Sequence, residues 1–208
     1  MKKLPLAVLL IGVVFAIAAG AVWRVSDRMQ RPAPADSSAS DFGGPFSLVD
    51  QNGKRRSDSD FRGKYMLVFF GYTYCPDVCP TTLATEAEAL DELGPRASAI
   101  IPIFITVDPG RDRPEKLKLY LSSFDPKPSS ARRAFVGLTG SDDEIAKAAR
   151  AYRVYYRAHL DGQTENGDYS VDHSSDVYLM NPEGKFVAYY SAGILPGEMA
   201  ADLMQNAK

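Results

Sequence analysis

Two near-continuous apolar runs constrain the fold more than any other feature of the chain. Residues 64–71, Lys-Tyr-Met-Leu-Val-Phe-Phe-Gly, and 99–107, Ala-Ile-Ile-Pro-Ile-Phe-Ile-Thr-Val, read as strands buried on both faces. Helix signals separate and follow them. Thr81–Leu93 is rich in helix formers and stops at Gly94-Pro95. A second helix opens at Asp112-Arg113-Pro114-Glu115 and runs to about Phe124, with Pro114 acceptable in the first turn. Ala134–Leu138 is a short strand. Ser141-Asp142-Asp143-Glu144 is a capping box that starts a helix to about Tyr152. Residues 44–49 read as a strand before the Asn52-Gly53 turn signal. Asp176–Met180 and Lys185–Tyr190 are strands joined by the turn sequence Asn181-Pro-Glu-Gly184, and residues 196–205 form a last helix. Strands alternating with helices predict an α/β sheet with parallel pairs, and the late hairpin adds an antiparallel edge. Ligands of such sheets bind at the carboxyl ends of strands.

The first 41 residues follow other rules. Residues 4–23 carry no charge. As a helix, 20 residues span about 30 Å, enough for a bilayer core. Lys2 and Lys3 precede the run; Trp23 and Arg24 close it, and Trp suits the headgroup interface. Ala19-Gly20-Ala21 has the pattern of a signal-peptidase site, but the run is long for a signal core, so residues 1–23 are read as an uncleaved membrane anchor. Residues 24–41, rich in Pro, Ala and Ser, read as a flexible linker, and residues 42–208 as one domain. The anchor region takes Lys2, Lys3, Arg24, Arg28 and Arg31 with only Asp27, which leaves residues 32–208 with a net charge of -6. An acidic domain argues against nucleic acid as a partner.

The chemistry is concentrated in Cys75-Pro-Asp-Val-Cys79-Pro80, just after the first buried strand. Helical spacing would put both sulfurs on one face, one turn apart, and a helix N-terminus lowers thiol pKa. A bridge between them would close a loop of about five residues and stabilise by only roughly 2 kcal/mol, a poor structural staple. A reversible dithiol or a metal site is the better reading. Of the two histidines, His159 sits in a polar stretch and reads as a surface residue; His173 lies in Val-Asp-His-Ser-Ser-Asp, before a strand, and is the candidate third ligand. Two thiolates and an imidazole suit copper, with zinc as the competitor.

Taken together, Gly71-Tyr-Thr-Tyr-Cys75-Pro-Asp77-Val-Cys79-Pro80, Val107-Asp-Pro-Gly-Arg111-Asp112-Arg-Pro114-Glu115, Gly137-Leu-Thr-Gly140 and His173-Ser-Ser-Asp-Val-Tyr-Leu-Met-Asn-Pro-Glu-Gly184 resemble the Sco/SenC family, in order and from about Phe42 to the C-terminus. The resemblance implies a thioredoxin-like mixed sheet flanked by helices, tethered by the N-terminal transmembrane helix. It implies copper, as Cu(I), Cu(II) or both, held by Cys75, Cys79 and His173, with Asp77, between the cysteines, tuning the site without touching the metal. The role implied is assembly of the dinuclear copper centre of cytochrome c oxidase. The copper-centre subunit would be the partner, and an upstream donor would supply the metal. The alternative is a thiol–disulfide oxidoreductase that reduces that subunit's cysteines through a redox-active Cys75–Cys79 pair. The expected location is a bacterial inner membrane with the domain in the periplasm, ahead of the mitochondrial intermembrane space, because no Arg/Ser-rich transit peptide precedes the apolar run.

Overall fold

The computed structural model describes residues 42–160 and 169–207. The anchor and linker read from the sequence lie outside them. Among the described residues, no helix is long and apolar enough to cross a membrane.

The first apolar run forms β3 (Tyr65–Gly71) and the second forms β4 (Ile100–Thr106). They pair in parallel, and β4 pairs in parallel with β5 (Val136–Thr139). The short strands β1 (Ser47–Asp50) and β2 (Arg55–Ser57) form the hairpin expected around Asn52-Gly53, and β1 lies antiparallel to β5. On the other side β8 (Val177–Met180) runs antiparallel to β3, and β9 (Phe186–Tyr190) forms the antiparallel edge. The seven-stranded order is β2-β1-β5-β4-β3-β8-β9. A separate two-stranded ribbon, β6 (Tyr156–Ala158) with β7 (Val171–His173), stands outside this sheet.

Helices cover both faces, as the two apolar runs require. The helices are α1 (Val78–Glu92), α2 (Pro114–Ser122), α3 (Asp142–Ala151) and α4 (Pro196–Asn206). Successive strand residues point to opposite faces. Phe69 and Gly71 therefore share a face, and Cys79 of α1 lies against Gly71 there. Phe70 points the other way and its ring packs on Tyr152, just past α3. Met66, Leu67, Val68, Phe69 and Phe70 are all buried. Each such side chain contributes roughly 1.5–3 kcal/mol by leaving water, so this strand anchors the core. On β5, a Cβ at Gly137 would fall 2.6 Å from Leu121 and 3.3 Å from Leu117. The missing side chain lets α2 sit close on the strand.

Local chemistry sets the ends. The capping box at Ser141 forms both of its bonds: Glu144 N–H donates to the Ser141 hydroxyl, and Ser141 N–H donates to the Glu144 carboxylate. In the β1–β2 turn, Asp50 Oδ1 accepts from the backbone N–H of Asn52 and Lys54. Asn181 does the same between β8 and β9, accepting from Glu183 and Lys185.

Two readings from sequence shift. The helix at the dithiol begins at Val78, three residues earlier than expected. Pro80 falls in its first turn, where no intrahelical N–H is needed. His173 does lie just before β8, as expected, but it also ends β7 on the separate ribbon.

Candidate metal centre

Cys79 is the second residue of α1 and is fully buried; Cys75 lies in the loop before the helix and is half-buried. The two sulfurs therefore do not share a helix face. They meet because the loop turns back on itself, with Cys75 N–H donating to the Tyr72 carbonyl at 3.2 Å. The Cys75 sulfur then accepts the backbone N–H of Cys79 at 3.3 Å. This N–H is one of the unsatisfied donors of the first helical turn, so Cys75 acts as a cap made of sulfur. Both cysteines are free.

His173 closes the group. Its Nδ1 donates to the Ser174 carbonyl at 2.8 Å, since a carbonyl can only accept. The other ring nitrogen, Nε2, faces the sulfurs and lies within hydrogen-bond reach of Cys79 Sγ at 3.3 Å. A hydrogen bond on the far ring nitrogen is the usual way a histidine ligand is oriented. The ring packs edge-on against Tyr72 at 5.8 Å and against Phe69 at 6.1 Å. The three donor atoms of Cys75, Cys79 and His173 all lie within 4.8 Å of one another. Two soft thiolates and one imidazole, this close and already oriented, fit a thiophilic cation such as Cu(I).

The electrostatics separate the two thiols. Hydrogen bonding from the Cys79 side chain, then from His173 and from the backbone N–H of Cys79 and Asp77, outweighs partial burial and pushes the Cys75 thiol down to about 3. The Cys75 sulfur beside it and near-complete burial push Cys79 up. One thiolate and one thiol therefore share the pocket near neutral pH.

Asp77 is exposed at the N-cap of α1, and its side chain makes no cap bond. Its carboxylate is not part of the three-residue cluster. His159, read as a surface residue, pairs through Nε2 with Asp172 at 2.7 Å on the ribbon's exposed side.

Asp112 is a residue that the sequence reading placed only in a helix start. Its buried carboxylate accepts from Thr73 N–H at 3.0 Å, Thr73 Oγ1 at 2.5 Å and Thr106 Oγ1 at 2.6 Å. Burial pushes its pKa up, against these bonds, which favour the charged form. It braces the cysteine loop onto the end of β4. A buried Asp next to a strand's carboxyl end was the available signal, but its partner Thr73 is 39 residues away.

Gly71 has a packing reason to be glycine. A Cβ there would lie 2.8 Å from Cys79 Sγ and 2.9 Å from Phe104. Gly71→Ala must displace that sulfur or the ring. Overpacking of this kind costs about 1–3 kcal/mol. The expected result in thermal unfolding is a lowered Tm. An unchanged Tm would mean that the pocket around Cys79 is looser than its burial indicates.

The SCO1/SenC family model matches residues 34–208. The chain belongs to the SCO1/SenC family. It is 40% identical over 164 residues to the human mitochondrial SCO1 homologue, covering 78% of this chain and 52% of that one. The chain thus spans about half the length of that relative. Among solved structures, ScoI of Bradyrhizobium japonicum with copper bound superposes with a TM-score of 0.69 at 47% identity, covering 79% of this chain and 99% of that one. BsSco, described with a disulfide switch and as a member of the Sco family of cytochrome c oxidase assembly proteins, superposes with a TM-score of 0.58 at 26% identity, covering 80% and 94%. The SCO1/SenC fold is a mixed sheet of thioredoxin type, as the resemblance implied.

Proposed function

We propose that this protein binds copper through Cys75, Cys79 and His173 and delivers it during assembly of the dinuclear copper centre of cytochrome c oxidase. The observation that carries this reading is the convergence of two sulfurs and an imidazole nitrogen within 4.8 Å, with the other ring nitrogen tied to Ser174. The copper-bound relative and the naming of Sco proteins as oxidase assembly proteins support it. Copper is cargo here. A three-ligand site that is part-exposed on its Cys75 side can release its ion by ligand exchange. The receiving partner is the copper-centre subunit of the oxidase, and an upstream donor loads the site. The uncharged run of residues 4–23 tethers the domain to the membrane, and residues 24–41 give it reach. The location proposed is the periplasmic face of a bacterial inner membrane.

The test is titration of the reduced, oxygen-free protein with Cu(I) against a competing chelator. One tight equivalent is expected, weakened in His173→Ala by more than the roughly 10- to 100-fold that losing a ligand-orienting partner costs. Wild-type affinity in that variant would sink the three-ligand reading. Binding should also vanish after oxidation, because only thiolates ligate.

A second reading is favoured by the unequal settings of the two sulfurs: Cys75 is part-exposed and accepts the Cys79 N–H, which favours its thiolate, while Cys79 is buried. The Cys75 thiolate attacks a disulfide sulfur of the target and releases one target thiolate. Cys79, once deprotonated, attacks Cys75 and releases the second. The target disulfide is reduced, and a Cys75–Cys79 disulfide forms. Metal-free protein should then reduce the oxidised copper-centre subunit stoichiometrically, read by thiol counting on that subunit. No transfer of reducing equivalents would remove this role.

A further inference from the structure

His173 reaches the dithiol on a ribbon that shares no ladder hydrogen bonds with the main sheet. One end is tied to the main sheet by the chain itself: β8 begins at Val177, four residues past His173, and Ser174 and Tyr155 exchange two hydrogen bonds beside it. A second set of contacts holds the other end. Tyr169, two residues before β7, donates its hydroxyl to Asp108 Oδ1 at 2.6 Å. Asp108 stands just past the end of β4, with its own N–H donating to Thr106 Oγ1. The other oxygen of Asp108 takes the Arg111 Nε–H. The Arg111 guanidinium lies over the Tyr169 ring at 3.5 Å and also faces Tyr74 at 4.6 Å and Tyr72 at 5.8 Å.

Tyr72 completes the path. Its ring touches His173 edge-on, and its hydroxyl accepts the N–H of Val171 at 3.4 Å. Among the described residues one Arg111 nitrogen is buried without a hydrogen-bond acceptor, and aromatic faces surround this cation instead. An aspartate, an arginine and a tyrosine thus lock the ribbon to the loops that follow β3 and β4. None of the three belongs to the metal-ligating cluster.

We propose that Asp108, Arg111 and Tyr169 form a latch that positions His173, and through it sets the affinity of the copper site. They are positioning residues. The inference rests on the three-ligand reading above for its effect on copper, but not for its effect on the ribbon.

The variant is Tyr169→Phe, which removes one hydroxyl and keeps the ring under Arg111. Two measurements on the full chain in detergent separate the claims. The first is Cu(I) affinity by chelator competition for wild type, Tyr169→Phe, His173→Ala and the double variant. Tyr169→Phe should weaken binding about tenfold alone, in the range for residues that orient ligands, and have no effect on top of His173→Ala. An equal loss in both backgrounds, or no loss in the wild-type background, would overturn the latch. The second uses ring-labelled histidine in reduced, metal-free protein. NMR contacts between His173 and Tyr72 should weaken in Tyr169→Phe while amide shifts of β3 and β4 stay put. Wild-type contacts in the variant would overturn the latch even without copper. Wild-type affinity in His173→Ala would instead remove the three-ligand reading, and the ring contacts would still decide whether the latch holds the ribbon.

Discussion

Alkylation of the reduced, metal-free protein at pH 5 is expected to label Cys75 and spare Cys79. An ordinary cysteine, with pKa near 8.5, is only about 0.03% thiolate at pH 5. Cys75, held at about 3, is nearly all thiolate. The reactive species is therefore enriched about 3,000-fold. A weakly basic thiolate is a poorer nucleophile, and a slope of roughly 0.45 over that span of pKa returns about 2.5 of the 3.5 decades. Cys75 should thus react about tenfold faster than a free cysteine at pH 5. Its rate should stay flat from pH 5 to 8, where a free cysteine's rises about tenfold per unit for most of the range. Cys79 is buried and kept protonated by the sulfur beside it, so it should stay unmodified. Peptide mass spectrometry over a time course reads both sites. A Cys75 rate that climbs tenfold per pH unit, or equal labelling of the two, would contradict the ordering of the thiols.

Glu86→Met is expected to stabilise the protein. Glu86 is fully buried on α1, on the same face as Cys79, Leu83 and Leu90, and neither carboxyl oxygen has a hydrogen-bond partner among the described residues. Burial pushes its pKa well above the usual carboxylate value. A buried polar group without a partner costs about 1–3 kcal/mol, and methionine fills a similar volume without polar atoms. A gain of about 2 kcal/mol would raise Tm by about 4–8 °C for a domain of this size. The sign with pH follows from linkage. The unfolded chain releases the Glu86 proton above about pH 4.3, while the folded chain must keep it. Stability lost to Glu86 therefore grows as pH rises from there toward the folded pKa. The Met variant should gain more at pH 7 than at pH 4 in parallel thermal melts. A lower Tm at pH 7 would show that the carboxyl does something useful in the core.

Much of this fold is legible in the sequence, for identifiable reasons. The two apolar runs became β3 and β4 because they are short and rich in β-branched and aromatic residues, which suits a strand covered on both faces. Ser141 and Glu144 capped α3 because their spacing alone sets the bonds. Cys75, Cys79 and His173 converge as their chemistry suggested. The β6–β7 ribbon was not legible. Its strands are three residues each, too short for periodicity to show, and its pairing joins Tyr156 to His173 across a long excursion. Asp112 and Tyr169 were missed for a related reason. Their partners, Thr73 and Asp108, are 39 and 61 residues away, and no local pattern announces such a bond. The early start of α1 was hidden by Pro76 and Pro80, which look like breakers until the first turn is seen to tolerate them.

The unequal depth of the two sulfurs gives the site a direction. Cys79 sits at the bottom and Cys75 at the rim, beside the exposed side chains of Tyr74 and Val78. On the copper reading proposed above, an arriving thiolate would meet the ion on the side where Cys75 and His173 are part-exposed, and the buried Cys79 would be the last of the three to let go. Donor and acceptor would then use the same face. Loading and unloading would be successive encounters at one doorway.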